Sequence, residues 1–131
     1  MKIKVFSLLT LLIFCCCFTQ SAFAVKELNE LVVRLMNPQP VEASRPEKTA
    51  KALKECTDRG YVHIMFKRTG TELGIELDIA SCDFSKAYFA ISTGRVHLVG
   101  YVTLNYDKCR CIVDIDLATC EGIGYLEPLN K

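Results

Sequence analysis

The chain has 131 residues, with 16 Lys and Arg against 15 Asp and Glu, a formal net charge of +1. Its length is that of one domain, and its near-neutral balance gives no electrostatic reason to seek nucleic acid or an anionic membrane surface. Hydrophobic residues make up 50% of it, enough for a modest core, and eight cysteines raise the question of compartment.

Residues 1–24 read as a cleavable export signal. Met1-Lys2-Ile3-Lys4 is a positive start, Val5 to Phe18 an apolar run of signal-core length, and Ala22-Phe23-Ala24 a small-residue cleavage site. The run is shorter than the about 20 apolar residues that span a bilayer, so no membrane span is expected. Phe14, Cys15 and Cys16 stand where a lipoprotein signal needs small residues before its cysteine. Cleavage after Ala24 removes Lys2, Lys4, Cys15, Cys16 and Cys17, leaving a net charge of −1 and Cys56, Cys82, Cys109, Cys111 and Cys120. The expected location is periplasmic or extracellular.

Val25 to Met36 reads as an amphipathic helix, because Leu28, Leu31, Val32 and Leu35 follow the i, i+3, i+4, i+7 pattern. Asn37-Pro38-Gln39-Pro40 ends it, and Asn37 to Ala43 reads as a linker. Residues 25–45 thus form a helix and a Pro-containing linker, and 46–131 a helix plus sheet, within one domain over 25–131. Ser44-Arg45-Pro46-Glu47 fits a capping box for the second helix. The inner stripe of that helix is Ala50, Leu53, Cys56 and Thr57, and its stop is Gly60.

From Tyr61 the apolar period becomes two. Val62, Ile64 and Phe66 form one row, and Leu73, Ile75, Leu77 and Ile79 the next. Ala87, Phe89 and Ile91 follow, then Val96, Leu98, Val102 and Leu104 with Gly100 in the same inward row. After a turn at Asn105–Lys108, Cys109, Cys111, Val113, Ile115 and Leu117 share a face, and Ile123–Leu126 is a short last strand. Tight turns between short strands exclude parallel pairing. The expected fold is α+β: two N-terminal helices packed on one face of a five- to six-stranded antiparallel meander sheet. This element order is similar to that of cystatin-like inhibitors and some periplasmic assembly factors; with no shared motif, the likeness bears on architecture alone.

In an oxidising compartment the five thiols are expected to pair as structural disulfides, with Cys56 tying helix to sheet and Cys120 bonded to Cys82, Cys109 or Cys111. The odd cysteine leaves room for a homodimer, disulfide-linked or non-covalent. Cys109-x-Cys111 lacks zinc-site spacing and no second compact pair accompanies it, so no metal and no cofactor are expected. His63 and His97 fall by parity on the outer row of their strands. Gly-x-Ser-x-Gly, His-Glu-x-x-His and phosphate-loop motifs are absent. Glu76, Asp78, Asp114 and Asp116 also lie on outer rows, and would share one acidic patch if their strands were neighbours. Tyr61, Tyr88 and Tyr101 lie on or near the outer rows, and tyrosine is favoured at recognition surfaces.

The expectation is a small exported binding or inhibitory protein. It acts through the polar sheet face or hairpin tips on another protein or extracellular macromolecule, with Tyr61, Tyr88, Tyr101, His63, His97, Asp114 and Asp116 as contact residues. The alternatives are a small secreted hydrolase using sheet carboxylates or histidines, and an apolar-ligand carrier with a cavity between helices and sheet.

Overall fold

The computed structural model describes residues 29–129. The export signal and the first residues of the expected N-terminal helix lie outside the described residues.

Helix α1 is a short turn over Glu30–Arg34, started by Asn29, whose Oδ1 accepts the Leu31 amide at 2.8 Å. The segment expected as a linker contains a strand, β1 (Gln39–Glu42). Its two prolines conceal an alternation in which Gln39, Val41 and Ala43 are buried. Pro40 has no N–H to give, but its carbonyl still accepts from Lys67 N at 3.1 Å. Gln39 Nε2 donates to the carbonyls of Arg34 and Asn37, both at 2.9 Å, and so holds α1 against β1.

Helix α2 spans Ala50–Arg59. The Ser44–Glu47 capping box does not start it. Thr49 does, its Oγ1 accepting from Ala52 N at 3.1 Å. The expected stripe of Ala50, Leu53, Cys56 and Thr57 is buried, joined by Ala52, and Gly60 ends the helix at a φ of 78°. The strands that follow are β2 (Tyr61–Phe66), β3 (Thr71–Leu77), β4 (Ala87–Tyr88), β5 (Thr93–Leu104), β6 (Asp107–Asp116) and β7 (Glu121–Pro128). The row read as Ala87, Phe89 and Ile91 is a strand only at Ala87–Tyr88, and Phe89–Ile91 is a 3-10 turn.

The seven strands run in the order β3-β2-β1-β7-β6-β5-β4, all pairings antiparallel, with β3 also paired to β5. That extra pairing closes six of them into a barrel and leaves β4 as an appendage on β5. The antiparallel pairing agrees with the sequence pattern; the helix-on-sheet α+β class does not, and with it goes the architectural likeness to cystatin-like inhibitors. A closed wall has no open face for helices to cover, and helices of 5 and 10 residues are too short to cover one.

The helices instead sit at the barrel's ends. At one end Leu126 N donates to Leu35 O at 2.8 Å, and Asn29 N donates to the Asp107 carboxylate at 2.9 Å. At the other, α2 joins the end of β1 to the start of β2 and packs on the 89–91 turn.

Closure rests on two seams. At the β3–β5 seam, Leu77 pairs with Gly100 and Glu76 with Tyr101. A side chain at position 100 would collide with Ile75 Cγ2 and come within 2.6 Å of the Glu76 carbonyl, so only glycine lets the two strands meet. At the β1–β7 seam, Glu42 and Glu121 are register partners. Like charges placed opposite each other repel. Two lysines offset this: Lys67 lies 2.9 Å from Glu121 and 3.7 Å from Glu42, and Lys48 pairs with the same two carboxylates. The Lys48 and Lys67 hydrogen bonds hold the Glu121 carboxyl down to about 2. The cluster is solvated, so its effect on stability is small and screened by salt.

The interior is filled from every wall. Val41, Val62, Ile64, Phe66, Ile75, Val96, Leu98, Ile115 and Leu126 are essentially fully buried, with Val32 and Leu35 from α1 and Leu53 from α2 in the same cluster.

The five cysteines among the described residues are all free, against the expected bridges. Cys109 faces Val102 and Pro128 across its two ladders, and Cys111 faces Gly100 and Leu126, so no cysteine lies opposite either one. Cys56 Sγ contacts Arg45 O at 3.6 Å on α2, and Cys120 occupies the β6–β7 turn at a φ of 57°. Cys82 Sγ accepts the Val99 amide at 3.3 Å on the flank of β5. Burial pushes the Cys111 thiol up to about 12 and raises Cys82, Cys109 and Cys120 as well, which makes them poor nucleophiles.

Candidate functional site

Strand alternation sends even residues of β6 and odd residues of β5 and β7 to the outer wall. The registers then line up one row across five strands. Tyr61 of β2 pairs with Glu76 of β3, Glu76 with Tyr101 of β5, Tyr101 with Arg110 of β6, and Arg110 with Glu127 of β7. The row exists only because β3 meets β5; in an open sheet β3 and β5 would lie at opposite edges.

Both tyrosine rings in this row are held in place. Tyr61 lies across Gly74, where any side chain would collide with its ring and hydroxyl, and it meets His63 edge-on at 5.3 Å between ring centres. Tyr101 donates its hydroxyl to the Asp78 carboxylate at 3.4 Å, and Lys108 Nζ lies 5.9 Å from its ring centre. Tyr61, Gly74, Glu76, Tyr101, Thr103 and Lys108 line an open cavity of about 450 Å³. The Glu76 side chain has no hydrogen bond or ion pair among the described residues. Arg110 Nε is buried without a partner, and its Nη1 lies 3.6 Å from Glu127.

Beside this row runs a second, apolar one: Val99 pairs with Ile112, and Ile112 with Tyr125. Val99 is buried, and Ile112 and Tyr125 are half-buried. The sequence reading missed Ile112 and Tyr125, although the parity that placed Asp114 and Asp116 outside places Ile112 there too.

A third row holds the remaining polar candidates. His97 pairs with Asp114, and its Nδ1 lies 2.9 Å from Asp114 Oδ1. Asp83, Lys86 and Arg95 complete the lining of an open cavity of about 310 Å³ there. The Asp83 carboxyl is held below the usual range by hydrogen bonds from Ser85. Tyr88 stands apart on β4, 56% exposed, against Gly94. Asp116 pairs across strands with Arg95.

The patch of four carboxylates that neighbouring strands would make does not form, because β5 lies between β3 and β6. Glu76 and Asp78 flank one side of β5 near Tyr101; Asp114 and Asp116 face His97 and Arg95 on the other. Among the described residues no group of three His, Cys, Asp or Glu side chains is placed to hold a metal ion, and no helix is long and apolar enough to cross a membrane. The chain matches no protein-family model, and no curated protein is similar to it in sequence.

Proposed function

We propose that this chain is a small exported binding protein that engages another protein through the outer wall of its barrel around Tyr101. The observation that carries the reading is the unbroken row Tyr61–Glu76–Tyr101–Arg110–Glu127. Fixed tyrosines, an unpaired carboxylate and an incompletely satisfied guanidinium stand there beside the half-buried apolar side chains of Ile112 and Tyr125. An apolar centre with a charged and aromatic border is the anatomy of a protein interface, and rings already held in place lose little entropy on binding. The leader-like residues 1–24 support a partner in the periplasm or outside the cell.

The test is Tyr101→Ala in capture experiments from the native exported milieu. Partner recovery is expected to fall by about tenfold, the cost of a typical interface tyrosine, while the melting temperature stays nearly unchanged. Undiminished capture would refute the reading.

The His97–Asp114 hydrogen bond favours a second reading, a hydrolase in which Asp114 orients His97 as a general base. It lacks a nucleophile: among the described residues the His97 side chain hydrogen-bonds to Asp114, and no serine, threonine or cysteine lines the cavity beside it.

A further inference from the structure

The charges around Tyr101 are not scattered. On the β3 side stand Glu76 and Asp78; on the β6 side stand Lys108 and Arg110. Strands in a sheet are about 4.8 Å apart, so Glu76 and Arg110 lie at equal distances on either side of Tyr101. A surface with an acid and a base placed symmetrically about an aromatic residue is complementary to itself.

We propose that the partner of this face is a second copy of the chain, related by a two-fold axis that lies in the interface parallel to β5 at Tyr101. The proposal rests on the binding reading above. The rotation reverses the order of the row, as an isologous interface requires. Tyr101 then meets Tyr101, and each Glu76 meets Arg110 of the other copy. Each Lys108 comes beside the opposing Glu76. The arrangement supplies what each copy lacks: a counter-ion for Glu76 and further acceptors for the Arg110 guanidinium. The other in-plane axis, perpendicular to β5, would set Glu76 on Glu76 and Arg110 on Arg110, which is repulsive. The charge pattern therefore chooses one geometry. Two convex walls touch over a narrow strip, so the dimer is expected to be weak and concentration-dependent.

Sedimentation equilibrium on the mature protein, taken up to about 1 mM, the weak end of specific association, reads this directly. The wild type is expected to dimerise. Glu76→Arg alone and Arg110→Glu alone each place like charges in both symmetric contacts, and each is expected to weaken the dimer by at least about tenfold. An equimolar mixture of the two variants restores opposite charges at both contacts and should form a heterodimer, while the variant carrying both changes should form a homodimer again. Thermal melts of each variant verify that it folds.

A wild type that stays monomeric throughout overturns the proposal. So do single variants that dimerise as well as the wild type, or a mixture that stays monomeric. If the wild type is monomeric but Tyr101→Ala still weakens capture of another protein, the self-pairing fails and the binding reading survives. If neither dimer nor capture is seen, both fail.

Discussion

Replacing Phe66 with alanine is expected to cost about 3–5 kcal/mol, the range for emptying a fully buried phenylalanine site. Phe66 is the largest of the fully buried side chains, with 0% exposure. It ends β2, pairs with Val41 of β1 and Thr71 of β3, and its carbonyl accepts the Gly70 amide at 2.9 Å. Its ring therefore fills the barrel where three strands converge. These strands are fixed by ladders on both sides and cannot collapse into the space an alanine leaves. At roughly 4–8 °C per kcal/mol for a domain of this size, the melting temperature should fall by more than about 12 °C. A urea titration of Phe66→Ala against wild type measures the loss. Less than about 1 kcal/mol would mean that Phe66 does not stand in a closed core.

Gly100→Val should be comparably damaging for the opposite reason. Overpacking a well-filled site costs about 1–3 kcal/mol, and more where the obstacle is backbone that cannot swing aside. Here the obstacle is Ile75 together with the Glu76 carbonyl at 2.6 Å, both on the strand that must dock for the barrel to close. The variant must either open the β3–β5 seam or distort it. An opened seam exposes two unpaired strand edges, so aggregation should accompany the lower melting temperature. It also parts Glu76 from Tyr101, one residue away in the ladder, and so should abolish binding at the Tyr101 face. A Gly100→Val protein that melts like wild type and stays monodisperse would contradict the closure.

Most strands were legible because alternation is local: each inward residue sits two positions from the next. The outer placement of His63, His97, Tyr61 and Tyr101 followed from the same parity. Closure was not legible, because pairings between β1 and β7, and between β3 and β5, join residues far apart in the chain and leave no local period. One sign of it stood in the sequence: Gly100 occupies an inward row otherwise filled by valine and leucine, which marks a close approach of another backbone. β1 was hidden by Pro38 and Pro40, read as chain breakers although Pro40 uses only its carbonyl in the ladder. The four-carboxylate patch failed for the same non-local reason, since β5 separates the strands that carry it. The expected disulfides failed because inward parity on β6 places Cys109 and Cys111 opposite valine, proline, glycine and leucine rather than another cysteine.

The fold and the proposed binding face share one dependency, the contact of β3 with β5. Proton nuclear Overhauser spectroscopy of the isotope-labelled protein observes that contact, since paired antiparallel residues bring their Cα atoms to about 4.5–5.5 Å. Cross-strand contacts between Glu76 and Tyr101, and between Leu77 and Gly100, are the predicted result. Their absence, in a folded sample that shows every other ladder, would mean an open sheet with Tyr61 and Tyr101 on separate surfaces.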